Sequence, residues 1–424
     1  MGAREQQPEL QELFKNNIPV YSYSKLNSFY GCLYNYYLTY IAHEKALDNI
    51  YSCIGGNVHD SIESCYAGDM TLQEGKNRFV ACVEECEKKG IKFPEKPPTT
   101  KINYVNNMKL FFDNYQMLNL PMKSEVFVLY RLPRVENPKE EKDYYHIQMY
   151  ADAIVPSYDE EGKPNGVRII DWKTSSKFDK EKEQEVEKQL LLYKLGVEQY
   201  LHLPVTSIQW CMLKYCVCCY MTKGSKKKPP EKKVSAPQER CKAIKWFKNK
   251  IVKDLINDCE MDEMKAELLF GRAVNENSLD CMPELIKERY WIEDYYKECE
   301  FDDEKMKETN QWIKDTINKI ESMDNIDGRK PKTQEEFALV EPNFPCPENM
   351  EKKSFFCTQL CGRPTCKYML QHREQYKEEQ DKKQSDVPNM QNQLESFFSG
   401  LSTQNTSMTD SLGSLNLDEM FKNL

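Results

Sequence analysis

Residues 144–173, YYHIQMYADAIVPSYDEEGKPNGVRIIDWK, decide the fold of this chain. Two apolar runs, YYHIQMYADAIV and GVRIIDW, are separated by a charged segment with glycine and proline, and a third run, VFVLYRL, precedes them at residues 126–132. Short apolar runs divided by turn residues are typical of β-strands that follow one another as hairpins. The pattern therefore predicts consecutive antiparallel strands.

Two acidic residues and a lysine stand on these predicted strands. Alternate side chains of a strand share a face, so Asp171 and Lys173 of IIDWKT point to one side and Trp172 points to the other. Asp152, in YADAIV, lies on the preceding strand, and a turn through residues 160–166 would bring it close to Asp171. Two carboxylates suit a hard divalent cation of the kind that phosphodiesterases use to activate water. The Asp-x-Lys tripeptide alone is a weak signal, because charged residues at strand ends are usually solvated.

Helical periodicity surrounds the predicted strands. Apolar spacings of three and four predict helices over residues 22–43, after Gly55 and Gly56, over residues 104–115 and over residues 180–200, and residues 207–221 predict a further strand. The order of helices, hairpins, helix and strand favours an α/β fold with a central mixed sheet. A doubly wound dinucleotide fold is disfavoured, since the sequence has no Gly-rich phosphate loop.

Three further side chains could join the acidic pair. Gln189 and Tyr193 are four positions apart on a predicted helix and so share a face, where an amide and a phenol could orient Lys173 or bind a DNA phosphate. His59 lies near the start of the second predicted helix, and imidazole is a common metal ligand. Each has an ordinary alternative, which is helix-surface packing for Gln189 and Tyr193 and a structural role for a solitary histidine.

The bulk composition excludes several classes of protein. The 424 residues are 40% apolar and 30% charged, as in globular proteins. No uninterrupted apolar run approaches the roughly 18 residues needed to cross a bilayer, since even residues 210–221 are broken by Lys214. The polar start lacks a secretory signal, and seventeen cysteines are too few for a disulfide scaffold. We expect an intracellular protein with no membrane partner, cytoplasmic in a phage or prokaryote and nuclear in a eukaryote.

The motifs resemble those of a known family when they are taken in order. GGNVHDSIE, YADAIV, IIDWKT and the Gln189-x-x-x-Tyr193 spacing occur in the order found in RecB-like nucleases of the PD-(D/E)XK superfamily. The opening SYSKLNSFYGCLYNYYLTY is similar to that family's first helix, so the resemblance covers residues 20–220. It implies a restriction-endonuclease-like core, in which helices flank a central mixed sheet, with added helical segments.

The resemblance also assigns roles to the candidate residues. It implies that Lys173 assists the attacking water and that Gln189 and Tyr193 orient the site and touch the substrate. It further implies that Mg²⁺ or Mn²⁺ is the cofactor. The implied metal ligands are His59, Asp152, Asp171 and the backbone carbonyl of Trp172.

Late cysteines are spaced closely enough to converge on a metal. Cys357, Cys361 and Cys366 form a C-x3-C-x4-C arrangement, and Cys346 precedes them. Such groups bind zinc or an iron–sulfur cluster, each of which usually takes four protein ligands. The four late cysteines alone would suit zinc, and buried cysteines without a metal are the third possibility.

AddB-type subunits and CRISPR-associated adaptation nucleases provide a second resemblance. They pair one early cysteine with three late ones around a 4Fe–4S cluster, and Cys32 stands in the matching early position. The resemblance implies a mechanical role, in which the cluster ties the first helix to the end of the nuclease domain. The implied ligands are Cys32, Cys357, Cys361 and Cys366, with Cys346 as the alternative.

Basic residues follow the predicted core and predict contacts with DNA. The segment 223–233, KGSKKKPPEKK, is most simply an exposed loop, and further lysines lie on the helix after it. They could line a phosphate track despite the net charge of −9. Trp246 and Phe247 interrupt the helical lysines and could stack bases, although aromatic residues at helical spacing usually pack inward. The predicted DNA contacts are Lys226, Lys227, Lys228, Lys242, Lys245 and Lys248.

The polar residues 373–424 predict a disordered tail with a partner motif. The sequence QNQLESFF at residues 391–398 resembles the peptide by which replication and repair proteins bind a sliding clamp. A second apolar cluster, at residues 417–421, resembles clamp-binding tails of phage proteins. The residues expected to contact the clamp are Gln391, Leu394, Phe397 and Phe398.

We therefore expect a metal-dependent DNA nuclease, acting as an exonuclease on single-stranded or frayed ends in replication, recombination or repair. The alternatives are a catalytically silent DNA-binding or clamp-tethered scaffold and an RNA-acting nuclease. The intact candidate residues favour an enzyme. The expected organisation is an N-terminal extension (1–20), a nuclease core (21–222), a basic loop and helical region (223–340), a cysteine-rich segment that closes the nuclease domain (341–372) and the tail (373–424).

Overall fold

The architecture is that of a computed structural model, which describes residues 7–346 except 96 and 225–227, residues 356–363 and 366–368, and five positions between 374 and 382. The chain divides into two compact units. The first unit contains residues 1–348 and 359–363, and the second contains residues 349–358 and 364–424. Every helix and strand labelled below belongs to the first unit.

Helices form the first part of this unit, and a short strand precedes the second of them. They are α1 (Pro8–Lys15), β1 (Val20–Ser22), α2 (Tyr23–Gly31), α3 (Leu33–Tyr40), α4 (Ile50–Ala67), α5 (Leu72–Lys88) and α6 (Thr100–Asn114). The helix α6 confirms the prediction over residues 104–115. The helix α5 and the strand β1 were not predicted.

The single helix predicted over residues 22–43 is wrong, because the chain breaks it at Cys32. Cys32 has an extended backbone with φ −158° and ψ 111°, which ends α2 and begins α3. The Ser22 side chain caps α2 by accepting from the Lys25 amide at 3.2 Å, and the Asn35 amide donates to Cys32 Sγ at 3.5 Å. Each short helix is thus capped by its own residue.

The predicted start of the second helix after Gly55 and Gly56 is also wrong. The helix α4 begins at Ile50, where Asn49 and Ser52 form a capping box, and both glycines lie inside it. A Cβ added at Gly55 would lie 3.6 Å from Thr174 Oγ1, so α4 passes close to the segment that follows residue 173. The cost of two helical glycines, about 1 kcal/mol each, is offset by the packing of α4.

The predicted hairpins, helix and strand are confirmed in the middle of the chain. They are β2 (Lys123–Pro133), β3 (Tyr144–Tyr158), β4 (Pro164–Lys173), α7 (Lys180–Gly196) and β5 (Val205–Met221). The strands β2, β3 and β4 are antiparallel neighbours, whereas β1 pairs with β3 and β4 pairs with β5 in parallel. The central mixed sheet of an α/β fold is therefore confirmed.

The chain after β5 is mainly helical, as predicted, but it returns to the sheet. Its elements are β6 (Lys232–Val234), β7 (Gln238–Glu239), α8 (Arg240–Trp246), α9 (Lys248–Asn257), α10 (Glu263–Glu276), α11 (Glu284–Arg289), β8 (Tyr290–Glu298), α12 (Asp303–Met323) and α13 (Gln334–Val340). The strands β6, β7 and β8 all pair antiparallel with β5. The loop predicted over residues 223–233 ends earlier than expected, since β6 begins at Lys232.

Apolar cores pack against the sheet, and two of them include side chains of β5. The first joins α4, α5 and α6 to inward side chains of β4 and β5, including Ile170, Trp172 and Leu213. The second joins α8, α9, α10 and α11 to the end of β5. The cysteines of β5 are all fully buried; they are Cys211, Cys216, Cys218 and Cys219.

Two predictions lie largely or wholly outside the described residues. The tail over residues 373–424 is described at only five positions, and the clamp motif at residues 391–398 at none. Among the residues that are described, no helix combines the length and the apolar character needed to span a membrane.

Candidate active site

The hairpin of β3 and β4 brings Asp152 and Asp171 side by side. Ala153 pairs with Ile170 across the two strands, so the next position places Asp152 opposite Asp171. The backbone amide of Trp172 donates a hydrogen bond to Asp152 Oδ2 at 3.1 Å. The turn predicted from the sequence therefore does bring the two carboxylates together.

Both carboxylates are buried, which makes their mutual repulsion strong. Asp171 is 1% exposed and Asp152 is 9% exposed. Burial, and after it the charge of Asp171, raises the pKa of Asp152 well above its usual range. Neither carboxylate oxygen of Asp171 accepts a hydrogen bond, although Lys173 Nζ lies 2.6 Å from Asp171 Oδ2. The pair is short of positive charge.

His59 approaches this pair from α4. Its Nδ1 lies 3.4 Å from Asp152 Oδ2, and its ring meets the edge of the Trp172 ring at a centroid distance of 6.1 Å. Burial is the largest influence on the pKa of His59 and lowers it. The imidazole is therefore neutral at neutral pH, which is the form that binds metals.

Lys173, Gln189 and Tyr193 form a chain of hydrogen bonds beside the carboxylates. Lys173 Nζ donates to Gln189 Oε1 at 3.1 Å, and Gln189 Nε2 donates to Tyr193 Oη at 2.8 Å. One turn of α7 separates the amide from the phenol, as their spacing predicts. Burial, followed by the charges of Asp171 and Asp152, raises the pKa of Tyr193, so the phenol keeps its proton.

A cleft of about 480 Å³ is lined by His59, Asp152, Gln189 and Tyr193 of this site, and also by residues that were not predicted. Glu125 lies on β2 with a left-handed backbone, φ 47°, which is uncommon for residues other than glycine. Ser22 and Ser24 flank Tyr23 at the start of α2, and nothing in their spacing indicates that they line a cleft. The cleft is lined by Ser22, Tyr23, Ser24, His59, Glu125, Gln148, Met149, Tyr150, Asp152, Gln189 and Tyr193.

A comparison with models of protein families identifies the family of this chain. The model of the PD-(D/E)XK nuclease superfamily matches residues 20–330, which is most of the 424-residue chain. The chain belongs to the PD-(D/E)XK nuclease superfamily. This membership indicates a nuclease or phosphodiesterase, and such nucleases generally use divalent metals. A comparison with proteins of curated function gave no match.

The residues of this PD-(D/E)XK site fit a hard divalent cation. No group of three or more His, Cys, Asp or Glu side chains among the described residues is already arranged around a metal position. However, Asp171 has two buried oxygens that accept no hydrogen bond, and the pKa of Asp152 is raised by burial and then by the negative charge of Asp171. Oxygen ligands and a neutral imidazole suit Mg²⁺ or Mn²⁺.

The predicted DNA-contact lysines that the structure describes do not line the cleft; they are Lys228, Lys242, Lys245 and Lys248. Lys242 is ion-paired with Glu239, Lys248 with Glu267 at 3.1 Å, and both are exposed, as are Lys245 and Lys228. Lys226 and Lys227 lie outside the described residues. Phe247 is buried in the core formed by α8 to α11, and Trp246 packs against that core, which favours inward packing over base stacking.

The end of the nuclease unit packs against its beginning near Cys32. Arg363 Nε donates to Asn35 Oδ1 at 3.1 Å, and the Leu47 amide donates to Gly362 O at 2.8 Å. Gly362 has φ 66°, and a Cβ there would lie 2.0 Å from Leu47 O, so only glycine fits. The other cysteines predicted to bind the iron–sulfur cluster or zinc differ in burial. Cys357 and Cys346 are buried, and Cys361 and Cys366 are half-buried.

Proposed function

We propose that this chain is a DNA nuclease that hydrolyses phosphodiester bonds with Mg²⁺ or Mn²⁺ and acts on single-stranded or frayed ends. The observation that carries the proposal is the buried pair of Asp152 and Asp171, held beside His59 and Lys173, with Asp152 and His59 lining one cleft. Charges arranged in this way cost stability, so their presence supports a catalytic purpose.

The cation would be held by side chains from three elements. We propose His59 of α4, Asp152 of β3 and Asp171 of β4, together with the backbone carbonyl of Trp172, as its ligands. Bound there, a divalent cation would lower the pKa of a water molecule and neutralise charge that develops on the phosphate oxygens.

Lys173 is held from two sides in a position to donate to the reacting groups. Its ion pair with Asp171 and its hydrogen bond to Gln189 fix the ammonium, and its remaining N–H groups can donate to the attacking water or a phosphate oxygen. Tyr193 accepts from Gln189 and keeps its own proton, so its hydroxyl can donate to the substrate. Both groups would stabilise negative charge in the transition state.

The lining of the cleft supports a substrate with unstacked bases. Tyr23 and Tyr150 line the cleft beside Tyr193, and tyrosine rings stack on the bases of single strands without sequence preference. A duplex keeps its bases stacked within the helix, which supports single-stranded or frayed DNA as the substrate.

Incubation of the purified chain with end-labelled single- and double-stranded DNA, with Mn²⁺ or with EDTA, tests the proposal. We expect cleavage of the single strand in Mn²⁺, its loss in EDTA and its loss in Lys173→Ala. Lys142→Ala, which removes a lysine that is 71% exposed, paired with Glu140 and not part of the cleft, should cleave as the wild type does. If the wild-type protein cleaves neither DNA with any cation, the proposed DNA nuclease activity is refuted. If it cleaves RNA but not DNA, the protein is an RNA-acting nuclease instead.

We also propose that Cys32, Cys357, Cys361 and Cys366 hold a 4Fe–4S cluster, with zinc on a set that includes Cys346 as the alternative. The proposal is supported by the spacing of the cysteines and by the contact of Arg363 with Asn35, three residues after Cys32. Absorbance at roughly 400 nm with bound iron would favour the cluster. Zinc without iron, or neither metal, would refute it.

The tail motif leads us to propose a sliding clamp as the partner. Leu394, Phe397 and Phe398 are large apolar residues in a polar segment, which is the composition of motifs that fold on a partner. Binding of a peptide of residues 388–402 to a purified clamp, lost when both phenylalanines are changed to alanine, would support this partner.

A further inference from the structure

Lys214 is a buried cation that no carboxylate neutralises. Its side chain is 9% exposed, and Nζ donates to Ser176 Oγ at 3.3 Å and lies 4.9 Å from the centre of the Tyr104 ring. No carboxylate of the described residues lies within the 4.0 Å ion-pairing distance of Nζ. Glu239 attracts it from farther away, but that carboxylate is ion-paired with Lys242. Burial lowers the pKa of Lys214 to about 8, which reflects this missing counter-ion.

A second buried polar group lies beside this ammonium. Tyr104 is 5% exposed, and its hydroxyl lies near the Thr174 side chain without forming a well-aligned hydrogen bond. Leaving a buried hydroxyl without a partner costs about 1 to 3 kcal/mol. An ammonium without a carboxylate counter-ion, in contact with a tyrosine whose hydroxyl can donate, suits an anion with several acceptor oxygens.

The position of these groups relates them to the cleft. Thr174 and Ser176 follow Lys173 directly, and Ser176 is exposed, so solvent reaches this end of β4. Thr174 faces Gly55 of α4, and Gly55 lies four residues, about 6 Å of helix rise, before His59. The cluster of Lys214, Tyr104, Thr174 and Ser176 is therefore a near neighbour of the catalytic groups and separate from them.

We propose that this cluster binds a second phosphate of the substrate strand, beside the phosphate that is cleaved. The inference rests on the proposed function in taking a nucleic-acid strand as the substrate. A phosphate there would supply the counter-ion that Lys214 lacks and accept a hydrogen bond from the Tyr104 hydroxyl, while Thr174 and Ser176 add two further donors. The substrate must then extend past the scissile bond on the side of Lys214.

The affinity for single-stranded DNA at several salt concentrations tests this subsite. The wild type, Lys214→Met and Lys163→Met are titrated with a labelled oligonucleotide in Ca²⁺, between about 50 and 200 mM salt. Loss of one phosphate contact on a single strand should make the slope of log K against log salt shallower by about 0.7 in Lys214→Met. Lys163 is a matched control, because its side chain is 72% exposed on the β3–β4 turn, and Lys163→Met should keep the wild-type slope.

Substitution of Tyr104 separates the hydroxyl from the charge. Tyr104→Phe removes only a hydrogen-bond donor, so we expect weaker binding with the wild-type slope. Lys214→Met removes a buried charge and should melt at or above the wild-type temperature. If it melts lower, Lys214→Arg keeps the charge and must keep the wild-type slope for the subsite to stand.

Failure of the subsite is distinguishable from failure of the proposed nuclease. Equal slopes for Lys214→Met and the wild type, or an equal change in Lys163→Met, would overturn the subsite even in a protein that cleaves DNA. A wild type that binds DNA with the expected difference between variants, yet never cleaves it, would refute the nuclease and keep the subsite.

Discussion

The two faces of β4 differ although their residues alternate along the same ten-residue strand. Ile170 and Trp172 point into the core with α4, α5 and α6, where Trp172 is 3% exposed and stacks on Tyr66 at a centroid distance of 6.3 Å. Asp171 and Lys173 point to the other side, among groups whose charges repel. One face contributes packing and the other contributes chemistry.

Alternate positions of this strand therefore govern different properties: one face contributes to the stability of the fold and the other to activity. The apolar face gains from burial, at about 25 cal/mol for each Å² removed from water. The charged face loses from burial until a cation arrives, since two buried carboxylates share a single ammonium. Substitutions on the two faces should therefore have opposite signatures.

The largest effect is expected for Asp171→Asn on the charged face. We expect cleavage to fall by about a thousandfold, because the substitution removes a proposed metal ligand from a preorganised site. The free energy of unfolding in EDTA should stay the same or rise, since the repulsion between Asp171 and Asp152 is lost. Single-turnover cleavage and urea unfolding measure the two quantities. A protein destabilised as well as inactive would break the separation of the faces.

Trp172→Ala, on the apolar face, should have the opposite signature. We expect the free energy of unfolding to fall by about 3 to 5 kcal/mol, because a large buried ring leaves a cavity. The backbone carbonyl at position 172 is retained, so cleavage for each folded molecule should change much less than in Asp171→Asn. Trp172→Phe, which refills part of the cavity, should restore part of the stability. An unchanged urea midpoint in Trp172→Ala would contradict the assignment of this face to packing.

The pH dependence of stability sharpens the comparison further. The pKa of Asp152 is raised in the folded state, so the folded protein binds this proton more tightly than the unfolded chain. In EDTA, the contribution of Asp152 to stability should be fully present below the usual pKa of aspartate and should be lost as pH rises through the raised pKa, by up to about 1.4 kcal/mol for each pH unit. Melting temperatures across pH for wild type and Asp152→Asn measure this. A slope that persists in Asp152→Asn would assign the dependence to another group.

The smallest effect is expected at Ser22, which has both a structural role and a place in the cleft. Ser22 caps α2 and also lines the cleft. Ser22→Ala should reduce the free energy of unfolding by about 1 kcal/mol, the usual value of a helix cap. Ser22→Asp supplies another capping oxygen and should recover that stability in chemical unfolding. No loss in Ser22→Ala would show that the cap is dispensable.

The sequence could predict β2 to β5 and α7 because their periodicities are strong. The runs before Asp152 and Asp171 are long and apolar and are divided by turn residues, and α7 keeps its spacing past Gln189. The same regularity predicted that Asp152, Asp171 and Gln189 lie near Lys173. Only the order of the motifs along the chain distinguished these residues from ordinary charged or polar residues of a protein surface. Their catalytic roles stay predictions.

The parts that were missed depend on contacts between distant segments. The strand β8, YWIEDYYKE, has no clean alternation because its interior residues are half-buried on both faces, and it becomes a strand by pairing with β5. The break at Cys32 and the helical glycines Gly55 and Gly56 are decided by packing, which periodicity does not contain. Glu125 joins the cleft through a left-handed backbone that gives no sequence signal.

The contact of Arg363 with α3 has a consequence for the synthesis of the protein. Arg363 and Asn35 are separated by 328 residues, so a ribosome adding about 5 to 20 residues each second reaches Arg363 roughly twenty seconds to a minute after Asn35. During that interval α3 and the Leu47 backbone lack the partners that Gly362 and Arg363 provide. The N-terminal helices of the first unit therefore cannot complete their packing until Arg363 has been synthesised. Chaperones can bind these helices during that interval.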